Sequence, residues 1–241
     1  MCPRCEKPEA LCVCAEILPL STRKHVLILQ HPQEPDKELG TARLAHLALP
    51  QSTLKIGLSW RNLTAALGRE AQPSRWAVLY LGSGIHGEAA PRAFSPTLQL
   101  VDKKGAPLAD AAAVLPDLEG LVVLDGTWSQ AKALWWRNAW LLKLRRAILV
   151  PKKKSLYGEL RREPRRECLS TIESIAQSLQ ALGEAPETEA ALTGLFQKLL
   201  DRKRAEKSGK KGGTASLGAS QKPSANPVVS TGPSKTESTE S

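Results

Sequence analysis

An α/β fold with a mostly parallel sheet flanked by helices is what this 241-residue sequence predicts. Three observations lead there. Short, continuous apolar runs recur along the body, and each reads as a strand buried on both faces. Segments with helical spacing of apolar residues separate those runs, which is the alternation of βαβ units. The runs also close on turn residues, as at Gly82-Ser83-Gly84, Gly126 and Pro151.

The elements follow in order. The run His25-Val-Leu-Ile-Leu29 is the first strand, and residues 41–49 form a helix stopped by Pro50. Residues 53–56 read as a strand and residues 60–67 as a helix closed by Gly68. Residues 76–81 are a buried strand, and Leu121-Val-Val-Leu124 is the next clear one. A long helix is expected over residues 128–144, then a last strand over 147–150. Two more helices follow, the first over residues 175–182. No internal repeat is present. Composition divides the chain into a Cys-rich segment (1–20), a body of alternating apolar runs and helical patterns (21–204) and a basic tail (205–241). The tail is Lys, Gly, Ser, Thr and Pro, too poor in apolar side chains to fold alone, so disorder is expected there.

The formal net charge of +10 is unevenly placed. Residues 143–166 hold ten basic side chains against only Glu159 and Glu163. Such a segment beside a folded core points to a polyanion partner, with a plain solvated surface as the alternative. No apolar segment follows Met1-Cys2-Pro3-Arg4-Cys5, and no apolar run matches a bilayer span. The expectation is a soluble, cytoplasmic protein with no membrane association and no obligate protein partner.

Cys2, Cys5, Cys12 and Cys14 follow the spacing C-x2-C-x6-C-x-C. Four thiols on short loops suit a structural zinc ion better than disulfides, given the expected compartment. A redox C-x-x-C is the rival, but it needs only two cysteines and normally follows a strand. Cys168 stands alone and reads as a small buried hydrophobe.

The stretch from Leu121 to Gln130 carries the most chemistry. A buried strand ends at Asp125, turns at Gly126 and enters a helix near Thr127. Ligands of open α/β sheets bind beyond the carboxyl ends of strands, which is where Asp125 falls. Thr127 and Gln130 form a capping box, which by itself accounts for both. Capping leaves Asp125 and Trp128 unexplained; together they can hold a ligand's polar groups and its base. Positions 128, 132, 135 and 136 share a helical face, which reads as core. Six tryptophans against two tyrosines and two phenylalanines is nonetheless an unusual balance, and one or two are candidates to stack on bases. Further on, Ser170 and Glu173 form a second capping box before an apolar helix. That helix start also offers backbone N–H groups to a carboxylate or phosphate.

In this order the residues resemble the DTW-domain family of tRNA-uridine aminocarboxypropyltransferases. The resemblance runs from the N-terminal cysteines through His31-Pro-x-Glu34, Thr41 and Asp125-Gly-Thr-Trp128-Ser-Gln-Ala-Lys132. It continues with Ser155-x-Tyr157, Arg161, Arg162 and Ser170-Thr-Ile-Glu173, covering residues 1–185. It implies a SPOUT-like α/β domain with a knotted C-terminal region. The implied reaction transfers the 3-amino-3-carboxypropyl group of S-adenosylmethionine (SAM) to N3 of a uridine in tRNA, releasing methylthioadenosine. Asp125, Thr127 and Trp128 would be catalytic, with Asp125 either taking the N3 proton or orienting the ammonium of SAM. Leu81, Gly82, Ser83, Gly126, Ser170, Thr171 and Glu173 would bind SAM. Lys152, Lys153 and Lys154 would meet RNA phosphates, and Arg161 or Arg162 would clamp an RNA phosphate or the methionyl carboxylate. The alternatives are the same transfer onto rRNA, methylation of RNA, or a non-catalytic zinc and RNA-binding scaffold.

Overall fold

Six strands form one sheet in a computed structural model that describes residues 1–79, 97–151, 154–160 and 169–212. They are β1 (His25–Gln30), β2 (Ser52–Ile56), β3 (Trp76–Leu79), β4 (Leu98–Val101), β5 (Gly120–Asp125) and β6 (Arg145–Leu149). Their order is β2-β1-β5-β3-β6-β4. All pairs are parallel except β4 with β6. The mostly parallel sheet expected from the apolar runs is therefore present.

The reason lies in the side chains. Every residue of β5 is buried, and so are the last five of β1. Only a sheet covered on both faces accepts such runs. Alternation then sorts neighbours: Val26, Ile28, Leu121 and Val123 enter one apolar cluster, while Leu27, Leu29, Val122 and Leu124 enter the other. The first cluster is covered by the N-terminal segment, α1 (Ala42–Ala48), α5 (Thr171–Ala181) and α6 (Pro186–Gly212). The second is covered by α2 (Leu63–Leu67) and α4 (Trp128–Arg137), and Trp76 is its largest fully buried side chain. The short helix α3 (Ala111–Val114) lies between β4 and β5 in the chain.

Several boundaries differ from the sequence reading, each for a local reason. α2 begins at Leu63 because the Asn62 side chain caps it, accepting the Ala65 N–H at 2.8 Å; Gly68 ends it in the left-handed region at φ 77°. The helix expected over residues 128–144 stops at Arg137. Asn138 leaves helical geometry (φ −123°, ψ 69°), and residues Ala139–Lys143 continue as a 3-10 helix. The buried Asn138 side chain accepts the Trp60 N–H at 2.8 Å and the Trp140 indole N–H at 3.2 Å. It donates to the carbonyls of Leu58 and Leu134. An asparagine that satisfies so many groups outside the helix competes with the helical pattern.

The expected core face of α4 is also corrected. Ala131 and Leu134 point inward, whereas Lys132 and Trp136 point out and Trp128 and Trp135 are half-buried. β4 and α3 have no counterpart in the sequence reading; each has only four residues, too few for a periodic signal. α6 runs to Gly212, so residues 205–212, assigned to the tail on composition, continue a helix. Lys203 bridges Glu206, and Arg204 bridges Asp201, at i,i+3 spacing, which supports that continuation. The Gly82-Ser83-Gly84 turn lies outside the described residues, as do Cys168 and residues 213–241. Among the described residues, no helix is long and apolar enough to cross a membrane.

Gly120 is where the sheet leaves no space. A Cβ there would lie 2.5 Å from the His25 carbonyl oxygen and 2.6 Å from the Trp76 ring. Gly120→Ala is expected to destabilise the fold by about 3 kcal/mol through overpacking. Urea unfolding checks this as a lower midpoint at unchanged slope.

Candidate active site and metal centre

The parallel register places Gln30 opposite Asp125 at the carboxyl edge of the sheet. The Gln30 amide donates to Asp125 Oδ2 at 2.8 Å, and the Thr171 hydroxyl donates to Oδ1. Asp125 is buried, and its backbone carbonyl accepts the His31 N–H at 3.0 Å. A carboxylate taken from water needs such donors, and these come from the end of β1 and the start of α5. Gly126 follows because a Cβ there would meet Gln130 Cβ at 2.8 Å.

Both capping boxes are present. The Thr127 N–H donates to Gln130 Oε1 at 2.6 Å, and the Gln130 N–H reaches Thr127 Oγ1 at 3.4 Å. The Gln130 amide also donates to Gln33 Oε1 at 3.2 Å, tying α4 to the loop after β1. Thr127 itself is exposed and Trp128 half-buried beside it.

The start of α5 is more committed than its sequence implied. Glu173 Oε2 accepts the Ser170 N–H at 2.9 Å, the Ser170 hydroxyl at 2.6 Å and the Ser155 hydroxyl at 2.7 Å. Oε1 accepts the Leu156 N–H at 2.9 Å. The buried Glu173 carboxylate therefore fastens residues 155–156 to the helix. Two of the helix's leading N–H groups are also engaged: Ile172 donates to Thr41 Oγ1 and Glu173 to Ser170 Oγ. Thr171 faces Asp125 instead.

Lys7 is a buried charged residue beside the site that sequence reasoning missed. Its side chain is almost fully buried, and Nζ donates at 2.7 Å to the carbonyls of both Glu38 and Gly40. The carbonyl between them, Leu39, accepts the Tyr157 hydroxyl at 2.9 Å, and Tyr157 packs edge-on against Phe196. Burial pushes the Lys7 ammonium down to about 8, opposed by the negative charges of Cys5, Glu38 and Asp125. Nothing in the sequence marks this lysine, because its partners are main-chain atoms more than thirty residues away.

The four N-terminal cysteines converge, all Sγ atoms lying within 4.8 Å of one another. The pairs Cys2–Cys14 and Cys5–Cys12 are 3.7 and 3.8 Å apart. A disulfide would need about 2.05 Å. Zinc–thiolate bonds of about 2.3 Å in a tetrahedron set the sulfurs about 3.8 Å apart, so the donor set can hold a metal ion. N–H groups of Cys5 and Arg4 aimed at Cys2 pull its thiol down to about 6, while burial raises Cys5. The turn that follows Cys5 uses Glu6 at φ 57°. Leu11, Val13 and Ile17 anchor the segment in the core, and Glu16 bridges Lys198 and Arg202 of α6 at 2.7 Å each.

Of the remaining sequence candidates, Lys154 is exposed. Leu81, Gly82, Ser83, Lys152, Lys153, Arg161 and Arg162 lie outside the described residues.

A mostly parallel sheet covered on both faces, with a buried carboxylate at its carboxyl edge and four converging N-terminal thiols, defines an α/β domain whose N-terminal segment could hold a metal ion. The DTW domain model matches residues 1–204, and the chain belongs to that family. It is 30% identical over 188 residues to tRNA-uridine aminocarboxypropyltransferase 2 of Macaca fascicularis, covering 75% of this chain and 56% of the relative. It is 30% identical over 197 residues to the Drosophila melanogaster protein of the same name, covering 79% and 70%. It is 24% identical over 218 residues to tRNA-uridine aminocarboxypropyltransferase A of Arabidopsis thaliana, covering 83% and 79%. The chain thus spans little more than half the length of the macaque relative. No solved structure matches it.

Lys7→Met removes the clamp on residues 38–40 while keeping the side chain's length. Each charge-assisted hydrogen bond is worth about 1.5 kcal/mol or more, so the Gly40 amide should exchange at least about tenfold faster. Hydrogen–deuterium exchange should show this with the β5 amides unchanged.

Proposed function

We propose that the chain transfers the 3-amino-3-carboxypropyl group of SAM to N3 of a uridine in tRNA. The observation that carries the reading is Asp125, buried at the carboxyl edge between Gln30 and Thr171, in a chain whose relatives are named tRNA-uridine aminocarboxypropyltransferases. In the reaction, N3 loses its proton and its electron pair forms the bond to the γ-carbon of the methionyl arm. The sulfur–carbon bond breaks onto sulfur, and methylthioadenosine leaves. Attack at the methyl carbon would methylate instead, so the protein's task is positioning.

Donors engage both Asp125 oxygens, so its carboxyl group is held in place more than left open to take a proton. This supports the ammonium-orienting role over that of general base. Thr127 and Trp128 border the acceptor, and Gly126, Ser170 and Thr171 line the SAM side. Glu173 acts through position, by holding residues 155–156. Leu81, Gly82 and Ser83 take the adenine, and Lys152, Lys153, Lys154, Arg161 and Arg162 take phosphates.

The ion we assign to Cys2, Cys5, Cys12 and Cys14 is zinc, in a closed structural site that takes no part in the chemistry. The SPOUT-like reading is supported by five parallel strands in which β5 lies between β1 and β3 and β6 lies beyond β3. We read the chain as a metal segment (1–20), a catalytic domain (21–204) whose last helix runs on to Gly212, and a basic tail, and four thiols held for a metal suit a cytoplasmic setting.

With SAM and tRNA, mass spectrometry should find aminocarboxypropyluridine together with methylthioadenosine. S-adenosylhomocysteine in its place would mean methylation. Asp125→Asn is expected to slow turnover about 100-fold or more. Unchanged turnover at unchanged SAM affinity would remove Asp125 from the chemistry. Native mass spectrometry should find one zinc per chain, lost in Cys12→Ser.

A further inference from the structure

Beginning at the Asp125 edge, α4 turns Ala131 and Leu134 inward and carries Lys132, Trp136 and Arg137 into solvent. Trp136 exposes 79% of its surface. Its neighbour Trp135 differs, being half-buried with the Arg146 guanidinium 5.7 Å from its ring centroid. An isolated exposed apolar side chain needs no explanation. This one is not isolated.

The loop after β2 is seated against the end of α4. Ser59 Oγ donates to the Arg137 carbonyl at 3.3 Å, and Asn138 joins Leu58 and Trp60 as described. The same loop leaves Ile56 and Leu58 exposed. Its Gly57 N–H donates to the Gln30 carbonyl, within the same residue whose carboxamide holds Asp125. The seam thus joins the carboxyl edge of the sheet.

Its charge is one-sided. Residues 39–69 contain no Asp or Glu, and neither do residues 126–158, so both segments that meet here are free of acid. Lys132, Arg137 and Arg61 are exposed, and among the described residues none of them forms an ion pair. An open indole among unpaired cations, with no carboxylate in either segment, has the chemistry of a base-stacking platform. Aromatic faces accept any unstacked base, and lysine and arginine take the flanking phosphates.

We propose that this seam docks the substrate RNA, with an unstacked base on Trp136 and phosphates on Lys132, Arg137 and Arg61. This rests on the reading that the substrate is RNA. The seam's residues are other than Lys152, Lys153, Lys154, Arg161 and Arg162, the phosphate contacts proposed above.

The test uses the full chain and an unmodified tRNA transcript. Affinity is measured over a range of salt for wild type, Trp136→Ala, Trp136→Phe and the Lys132→Ala/Arg137→Ala double variant. SAM affinity by calorimetry and mass by sedimentation run in parallel. Stacking on one base corresponds to about 5- to 150-fold in affinity, so Trp136→Ala should weaken tRNA binding within that range. Trp136→Phe should retain most of it, and SAM affinity should not move. The double variant should lower the salt slope by about 1.5. If Trp136→Ala binds tRNA as wild type does, the docking surface is wrong and the proposed transfer stands. The docking surface is equally wrong if that variant only changes self-association, since the patch then takes a second copy. If wild type makes no aminocarboxypropyluridine but Trp136→Ala still loses tRNA, the transfer falls and the docking surface stands. If wild type binds no tRNA, both fall.

Discussion

The parallel pairing of β1 with β5 is the constraint on which the rest of the molecule depends. Six consecutive residue pairs run from His25–Gly120 to Gln30–Asp125. Burial on both faces holds the register, because a one-residue slip would exchange the two apolar clusters. The last pair of the ladder is polar, and its side chains bond each other at the edge where the strands stop. Apolar burial thus supplies the rigidity, and the final pair uses it to hold a carboxylate in place.

Around that pair, the segment 38–41 is gripped from three directions. Lys7 holds the carbonyls of Glu38 and Gly40, Tyr157 holds that of Leu39, and Thr41 accepts the Ile172 N–H. The cysteine knuckle, the 155–157 turn and the start of α5 therefore all meet one loop, which the His31–Asp125 bond ties back to the sheet. Buried ionic groups such as Lys7, Asp125 and Glu173 add little net stability compared with well-packed apolar residues. Here they fix the relative positions of elements far apart in the chain.

The two capping boxes show how one local motif can serve different ends. At Thr127 the box orients an exposed helix start beside Asp125, and Gln130 reaches across to Gln33. At Ser170 the box is buried, and its glutamate also carries Ser155 and Leu156. The first leaves its helix end facing outward; the second turns its own inward.

Much was legible in the sequence because it depends on neighbours in the chain. The apolar runs of β1 and β5, the stop at Pro50, the left-handed Gly68, both capping boxes and the cysteine spacing are all local signals. The convergence of four thiols also follows from short loops. By itself the sequence determined the α/β class, the parallel sheet, the strand-end position of Asp125 and the set of four cysteines that converge. Only the tertiary structure decided that Gln30 and Thr171 hold Asp125, that Lys7 clamps the 38–40 turn, and that Asn138 breaks α4. It also decided that Trp136 faces water although it shares a helical face with Trp128 and Lys132. The physical reason is common to all four. Each depends on a partner, or on a covering layer, brought close by folding over tens of residues, and neither periodicity nor propensity carries that information.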